Sequence, residues 1–287
     1  MFNDVQSKFT SKSYLRVGMA NRNPQSSQMA DESMVRTLAA QVRCIWPQER
    51  LLFERYGSPK KILDVGCGTG VFTALLAKRY PEAQVVGIEL DPSHVIRAKR
   101  ACAAFGNRVC IEEGDAFNIQ YPSSSFELVV CRHLLQAIPE PEKVVAQCQR
   151  VTTPKGWLHL LIEDYTMIHI EGPEYFDRFW IEGALRFGAE LGCDLRIGRR
   201  GMELLEGCEH KRLDYITVDT ERVERSDFAD VFTAWRDGYT EGLAPYLGGK
   251  ERVKKIWDEM IRAINTGYAL WQVPVASGRK TLGPLED

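Results

Sequence analysis

No apolar run in this 287-residue chain approaches membrane-spanning length, and its first residues lack the apolar core of a secretory leader. The expectation is a soluble, cytoplasmic protein with no membrane partner. Net charge is equally scarce. Lys and Arg number 37 against 39 Asp and Glu, leaving −2, so there is no global basic field and no nucleic acid is expected as a partner. The one basic stretch, Arg196 to Arg200 (RIGRR), is short enough to be a turn before a helix. The eight cysteines are scattered, with no C-x-x-C and no paired ligand spacing, which suits buried, reduced thiols and no metal site. Cys208 and His210 read as alternation on a strand. Internal repeats and low-complexity tracts are absent. Two nucleotide-binding signatures are also missing. A phosphate-cradling loop would need G-x-x-x-x-G-K-[ST], and no such lysine is present. The dinucleotide pattern G-x-G-x-x-G fails by one position, because the third glycine is Gly70 and Val71 follows it.

What the chain does have is Lys61-Ile62-Leu63-Asp64-Val65-Gly66-Cys67-Gly68-Thr69-Gly70. An apolar run reading as a buried strand (Lys61 to Val65) enters a turn with glycine at alternate positions, and Val71 to Arg79 then reads as a helix. Glycines there supply positive φ and let a ligand approach the backbone. The helix start beyond them offers unpaired N–H groups. A second strand, Ala83 to Leu90, ends in Glu89, nineteen residues beyond Gly70. One strand–helix–strand repeat has that length, so Glu89 falls at the sheet edge beside the glycine turn, where a carboxylate can accept from two ribose hydroxyls. Asp91-Pro92 opens another helix, a strand over Arg108 to Glu112 follows, and Gly114-Asp115-Ala116-Phe117 closes the third repeat.

The pattern Asp64-x-Gly66-x-Gly68-x-Gly70 resembles motif I of the class I S-adenosylmethionine-dependent methyltransferases, and Glu89 and Gly114-Asp115 match that family in order and spacing. The resemblance covers about residues 60–163, and residues 213–276 by expectation. It implies S-adenosyl-L-methionine as cofactor, bound by Asp64, Gly66, Cys67, Gly68, Thr69, Gly70, Glu89 (ribose), Leu90 (packing on adenine), Asp115 (adenine amino group), Ala116, Phe117 and Arg132. Tyr14 is a candidate for an N-terminal segment closing over the cofactor. The fourth strand, Ser125 to Cys131, leads into Arg132-His133-Leu134-Leu135-Gln136-Ala137-Ile138-Pro139, at the place of the family's motif IV. The pattern [DNS]-P-P-[YFW], typical of enzymes methylating nucleic-acid amines, is absent there. His133, at the rim of the expected site, is a candidate general base. The fifth strand, Trp157 to Ile162, ends in Glu163-Asp164-Tyr165 on the same edge. These three are candidates to act as base, steer an acceptor or cap the turn, and no third acid or Asn completes a Mg²⁺ site.

The implied fold is α/β: a Rossmann-like sheet of seven strands, mostly parallel with the last antiparallel, and helical insertions forming a lid. Residues 1–56 read as a tail and helices covering the cofactor site, with one helix from Asp31 to Trp46, a break at Pro47 and a short helix to Tyr56. Residues 57–165 form the cofactor-binding core. Residues 166–206 form the acceptor lid, with Glu174 to Leu191 reading as a helix that carries Phe176, Phe179, Trp180, Phe187 and Leu191 on one face. Residues 207–287 finish the sheet with strands at Leu213 to Val218 and Gly267 to Ala276, a helical insertion at about 226–265 (helices Asp227 to Tyr239 and Lys250 to Ile264, linked by Gly242 to Gly249), and a tail from Ser277. The expected reaction is methyl transfer by in-line displacement to a small organic acceptor, with O, N, S or C unresolved. A methyltransferase acting on protein or RNA, and a non-catalytic cofactor-binding protein, are the rival readings. A homodimer is compatible with the sequence.

Overall fold

A computed structural model describes Pro24 and residues 31–282; Tyr14 lies outside the described residues. Five parallel strands start the sheet. β1 (Lys61–Val65) is central, with β2 (Gln84–Glu89) and β3 (Val109–Glu113) on one side and β4 (Phe126–Arg132) and β5 (Thr152–Leu161) on the other. Apolar residues run continuously along β1 and β4 because both of their faces are covered. Helices α1 (Glu32–Leu52), α2 (Val71–Arg79), α3 (Pro92–Cys102) and α4 (Pro141–Val151) flank this part. Asp31 caps α1 by accepting from Ser33 N–H, and Asp91 caps α3 in the same way from Ser93 and His94.

Beyond β5 the sheet turns antiparallel. β8 (Ala269–Lys280) pairs with β5 along residues 275–279, and β7 (Cys208–Asp219) pairs along β8's opposite edge. The seven long strands thus follow the Rossmann-like order β3-β2-β1-β4-β5-β8-β7. An eighth, not expected from the sequence, is the three-residue β6 (Ile168–Ile170), which joins the start of β8 through Ile168↔Trp271. Three residues of alternating burial are too short to show a strand period.

Several boundaries differ from the sequence reading. Pro47 does not break α1, which continues to Leu52 before a 3₁₀ turn over Phe53–Tyr56. Proline removes one backbone donor, and tertiary packing of the buried Cys44, Ile45 and Glu49 on either side outweighs that loss. The helix expected to end at Tyr239 runs as α8 (Arg225–Leu247) through the presumed linker, and Gly248, with φ of 84°, ends it. The single helix expected over residues 174–191 is α5 (Tyr175–Arg178) and α6 (Leu185–Glu190) joined by a π-helical turn, Phe179–Ala184. α7 (Gly201–Leu204) is short, and α9 (Lys250–Thr266) closes the roof. Ser277 opens no tail: it lies fully buried in β8, opposite His159 and Arg212.

The roof packs on the C-terminal half of the sheet as an aromatic core. Trp180, Phe228, Phe232, Trp235, Trp257 and Trp271 are all buried in it, and α1 joins it through Ala40, Cys44 and Ile45. On its other side α1 adds Val42 to the core over β1 and β4. This one helix therefore ties the roof to the parallel sheet.

Candidate functional site

The glycine turn does what its spacing predicts. Gly66, Gly68 and Gly70 all have positive φ (70°, 54° and 78°). A Cβ on Gly70 would come 2.7 Å from the Ala98 backbone, so a side chain there would push α2 and α3 apart. A Cβ on Gly68 would meet Leu38 of α1 at 2.8 Å. Asp64, at the end of β1, is buried and accepts from the Thr73 hydroxyl at 2.7 Å. Burial, against the Thr73 hydrogen bond, pushes its carboxyl up to about 6.

Glu89 reaches back across the turn. One carboxylate oxygen accepts from Gly68 N–H (2.8 Å), the other from the N–H groups of Leu90 (2.8 Å) and Asp91 (2.9 Å). Two carboxylate oxygens offer about four lone-pair sites, and with three taken about one remains, on the oxygen that accepts from Gly68, rather than the two expected for a pair of ribose hydroxyls. Asp115 accepts from Phe117 N–H at 2.8 Å, which shapes the next edge loop.

The cleft has two lobes. Asp64, Gly66, Cys67, Gly68, Thr69 and Arg132 line one. Glu89, Leu90, Asp115, Ala116, Phe117 and Arg132 line the other. Every described residue expected at the cofactor except Gly70 therefore lies on one lobe or both, and Gly70 supports them from behind. Arg132 is held by a bidentate pair with the buried Glu49 of α1 (2.8 Å for each bond) and lies 4.0 Å over the Phe72 ring. Burial alone would raise the Glu49 carboxyl, but Arg132 and the hydrogen bond from His159 hold it well below the usual carboxylate range. His159 also meets the Tyr56 hydroxyl at 2.8 Å, and its burial lowers the imidazole below its ordinary value.

Next to the cleft lies a chamber under the roof, about 760 Å³ when the solvent at its open mouth is included. Tyr165, Trp180, Phe187, Trp235, Tyr239 and Trp257 wall it, and Thr37, Gln41, His133 and Gln136 are its polar residues. Among the described residues, no Asp, Glu, Lys or Arg lines it. His133 and Leu38 line the chamber and both lobes of the cleft. The His133 backbone is left-handed (φ 54°) and is pinned by its N–H donating to Leu161 O.

The three residues after β5 separate. Glu163 is fully buried behind His133, its Oε1 2.8 Å from His133 Nδ1 and its Oε2 accepting from Trp271 Nε1 at 3.1 Å. The His133–Glu163 approach is close but not aligned for a hydrogen bond, so both atoms count as unpartnered. Asp164 is engaged elsewhere, capping Thr166 and pairing with Arg199 at 2.7 Å. Tyr165 lines the chamber and stacks on Trp180 at 6.0 Å. Burial, with Glu163 and Tyr239 nearby, holds its hydroxyl far above its usual range, so it stays protonated.

Sequence reading missed Leu38, Glu49, Gln136 and the roof aromatics of α8 and α9. Leu38 carried only the signal of a core position at helical spacing. Gln136, three residues after His133, had no signal that separated it from an ordinary loop amide. Among the described residues no group of three or more His, Cys, Asp or Glu is arranged to hold a metal ion.

Residues 62–156 match the model of a methyltransferase domain. A demethylmenaquinone methyltransferase of Deinococcus radiodurans is 36% identical over 104 residues, which is 36% of this chain and 43% of the relative. The chain thus spans less than half the length of that relative. A ubiquinone biosynthesis O-methyltransferase of Leptothrix cholodnii is 30% identical over 162 residues, 50% of this chain and 67% of its own length. Among solved structures, Haemonchus contortus phosphoethanolamine N-methyltransferase 2, in complex with phosphomonomethylethanolamine and S-adenosylhomocysteine, aligns with a TM-score of 0.52 over 83% of this chain and 53% of its own. At 17% identity that likeness is one of fold.

Proposed function

Since the chain belongs to the class I S-adenosylmethionine-dependent methyltransferases, we propose that it methylates a small organic acceptor held in the aromatic chamber. One observation carries this reading: His133 and Leu38 form a wall common to the cofactor cleft and the chamber. Two compartments that meet at one side-chain layer suit the transfer of a single carbon between their contents.

The residues fit the cofactor. The lobe lined by Leu90, Asp115, Ala116 and Phe117, with the remaining acceptor site of Glu89 at its side, forms a cradle for a nucleoside with a free ribose edge. Glu89 would hold the ribose, and Asp115, Leu90, Ala116 and Phe117 the adenine. Asp64, Gly66, Cys67, Thr69 and Arg132 would hold the amino-acid end, with Gly70 fixing the turn. When bound, S-adenosyl-L-methionine supplies a methyl group already activated as a sulfonium, so orientation and exclusion of water dominate the protein's share of the work. Arg132, already paired with Glu49, brings no uncompensated positive charge toward that sulfonium.

His133 would act as general base for an acceptor that must lose a proton, taking it as the new bond forms. Glu163, behind the ring, compensates the positive charge that the imidazole then carries. Asp164 is proposed only as the cap of the 165–167 turn, and Tyr165 as a chamber wall.

The test is label transfer. The protein is incubated with methyl-labelled S-adenosylmethionine and host-cell extract, which is then separated into small molecules and macromolecules. Label should enter the small-molecule fraction. His133→Asn, chosen because asparagine tolerates left-handed backbone, should lower that rate by about 10²-fold or more and still bind S-adenosylhomocysteine in calorimetry. Label in protein or RNA, or no binding of S-adenosylhomocysteine, would overturn the reading.

A further inference from the structure

The chamber has its own chemistry, distinct from that of the cleft. Its walls are aromatic, and none of the described residues lining it carries a formal charge. An ionic group brought into it would lose its hydration and meet no counter-ion among the described lining residues, the nearby Glu163 lying behind the His133 ring. The rings do not offer a ready cation cage either. Trp180 meets Trp257 at 5.8 Å and Trp235 at 6.0 Å edge to face, and Phe179 meets Trp257 at 4.6 Å, so the rings are already in contact with one another's edges.

Against this neutral lining, three residues hold buried polar atoms without a partner. At the sheet edge these are His133 Nε2, the ring nitrogen that does not face Glu163, and the amide oxygen of Gln136. On the roof, in α9, it is the indole Nε1–H of Trp257, a residue only 2% exposed. A buried donor or acceptor left unmade costs about 1–3 kcal/mol, and most such groups in folded proteins have a partner. His133, Gln136 and Trp257 all belong to the lining of one chamber, so an occupant seated there is the nearest source of partners for these atoms. Trp257 Nε1 can only donate, so it requires an acceptor oxygen on the occupant. Gln136 Oε1 can only accept, so it requires a donor. His133 meets that same donor as the base.

We infer that the chamber takes a neutral, largely planar and apolar molecule with two polar features: a hydroxyl donor at the His133 and Gln136 end, and a carbonyl-type acceptor oxygen at Trp257. A hydroxylated aromatic ketone or a molecule of that pattern is the ligand class. This rests on the reading of the chamber as the acceptor site, and it adds what the acceptor must carry.

The experiment is calorimetry on the full chain saturated with S-adenosylhomocysteine, using four two-ring probes. 4-Hydroxybenzophenone has both features, and 4-benzylphenol keeps its shape with a methylene in place of the carbonyl. 4-Benzoylbenzoate carries an anion and 4-(aminomethyl)benzophenone a cation where the first has its hydroxyl. 4-Hydroxybenzophenone should bind about tenfold more tightly than each of the others. Trp257→Phe keeps a ring against Phe179 but removes the N–H, and should reduce the preference over 4-benzylphenol to less than about twofold. The wild-type comparison stands even if this variant does not fold. Equal binding of the ketone and the methylene compound, survival of the preference in Trp257→Phe, tighter binding of either ion, or no binding of any probe would each overturn the inference. Failure with S-adenosylhomocysteine bound sinks this inference alone; failure to bind S-adenosylhomocysteine sinks the methyltransferase reading beneath it.

Discussion

Asp64 shows how a single residue links the site to the stability of the fold. Its carboxyl is fully enclosed, and burial raises it to about 6 from an ordinary 3.8. A carboxyl raised in the folded state favours folding below its unfolded value, and that contribution is lost as pH rises through the folded value. The window is therefore about pH 4 to 6, and the loss, by linkage, is about 3 kcal/mol. Asp64→Asn keeps the volume and can still accept from Thr73. Thermal unfolding of the ligand-free protein should show the variant gaining on wild type by a widening margin as pH goes from 4 to 7. A margin independent of pH would show that the carboxyl is not buried as described. Glu49 and His159 act in the opposite sense, since both are lowered in the folded state and lose their contribution as the solution is acidified. The difference between variant and wild type separates Asp64 from them. The identity and place of Asp64, Glu89 and Asp115 were legible in the sequence, because strand-end acids at one-repeat spacing have only one edge on which to fall. That Asp164 faces Arg199 and Glu163 faces His133 was not legible, since adjacent residues leaving a strand can turn either way.

At the scale of elements, α1 is the piece whose importance composition least revealed. It reads as an amphipathic preface, yet its Glu49 reaches a buried network of Arg132, His159 and Tyr56 that spans β4, β5 and the 3₁₀ turn after α1. Breaking a buried pair by removing one partner leaves an uncompensated charge, at a cost of about 3–5 kcal/mol. Glu49→Leu should lower the free energy of unfolding in urea by that order, whereas Arg36→Ala, which removes an exposed pair with Asp237 on the same helix, should cost less than about 1 kcal/mol. Comparable losses in the two variants would mean that the buried network adds nothing beyond a surface pair. The five parallel strands and their helices were readable because each carries its own period and its own turn chemistry. Pro47, the π-turn at Phe179–Ala184 and β6 were not, because in each case tertiary packing outweighs a local signal.

For the molecule as a whole, roof and parallel sheet share α1 and β8, so they should not melt apart. Four of the six tryptophans, Trp180, Trp235, Trp257 and Trp271, sit in the roof core, whereas far-ultraviolet dichroism reports helices on both halves. The two signals should follow one urea transition with a common midpoint. Separate midpoints would make the roof an independent folding unit. The aromatic residues of 174–191 were readable as one apolar helical face, but the chamber as a volume was not, since it needs Tyr165, the π-turn, α8 and α9 brought together from across the chain.

The position of β8 has a consequence for biosynthesis. It is threaded between β5 and β7, burying Trp271, Val273, Val275 and Ala276 completely, and it is translated after both of its neighbours. Until it emerges from the ribosome, β5 has a bare edge, β7 has no partner strand, and the apolar underside of the roof has no floor. Nascent chains would therefore pass through a stage in which the first five strands can pair while the rest waits as a sticky, unfinished half, the kind of intermediate on which chaperones act.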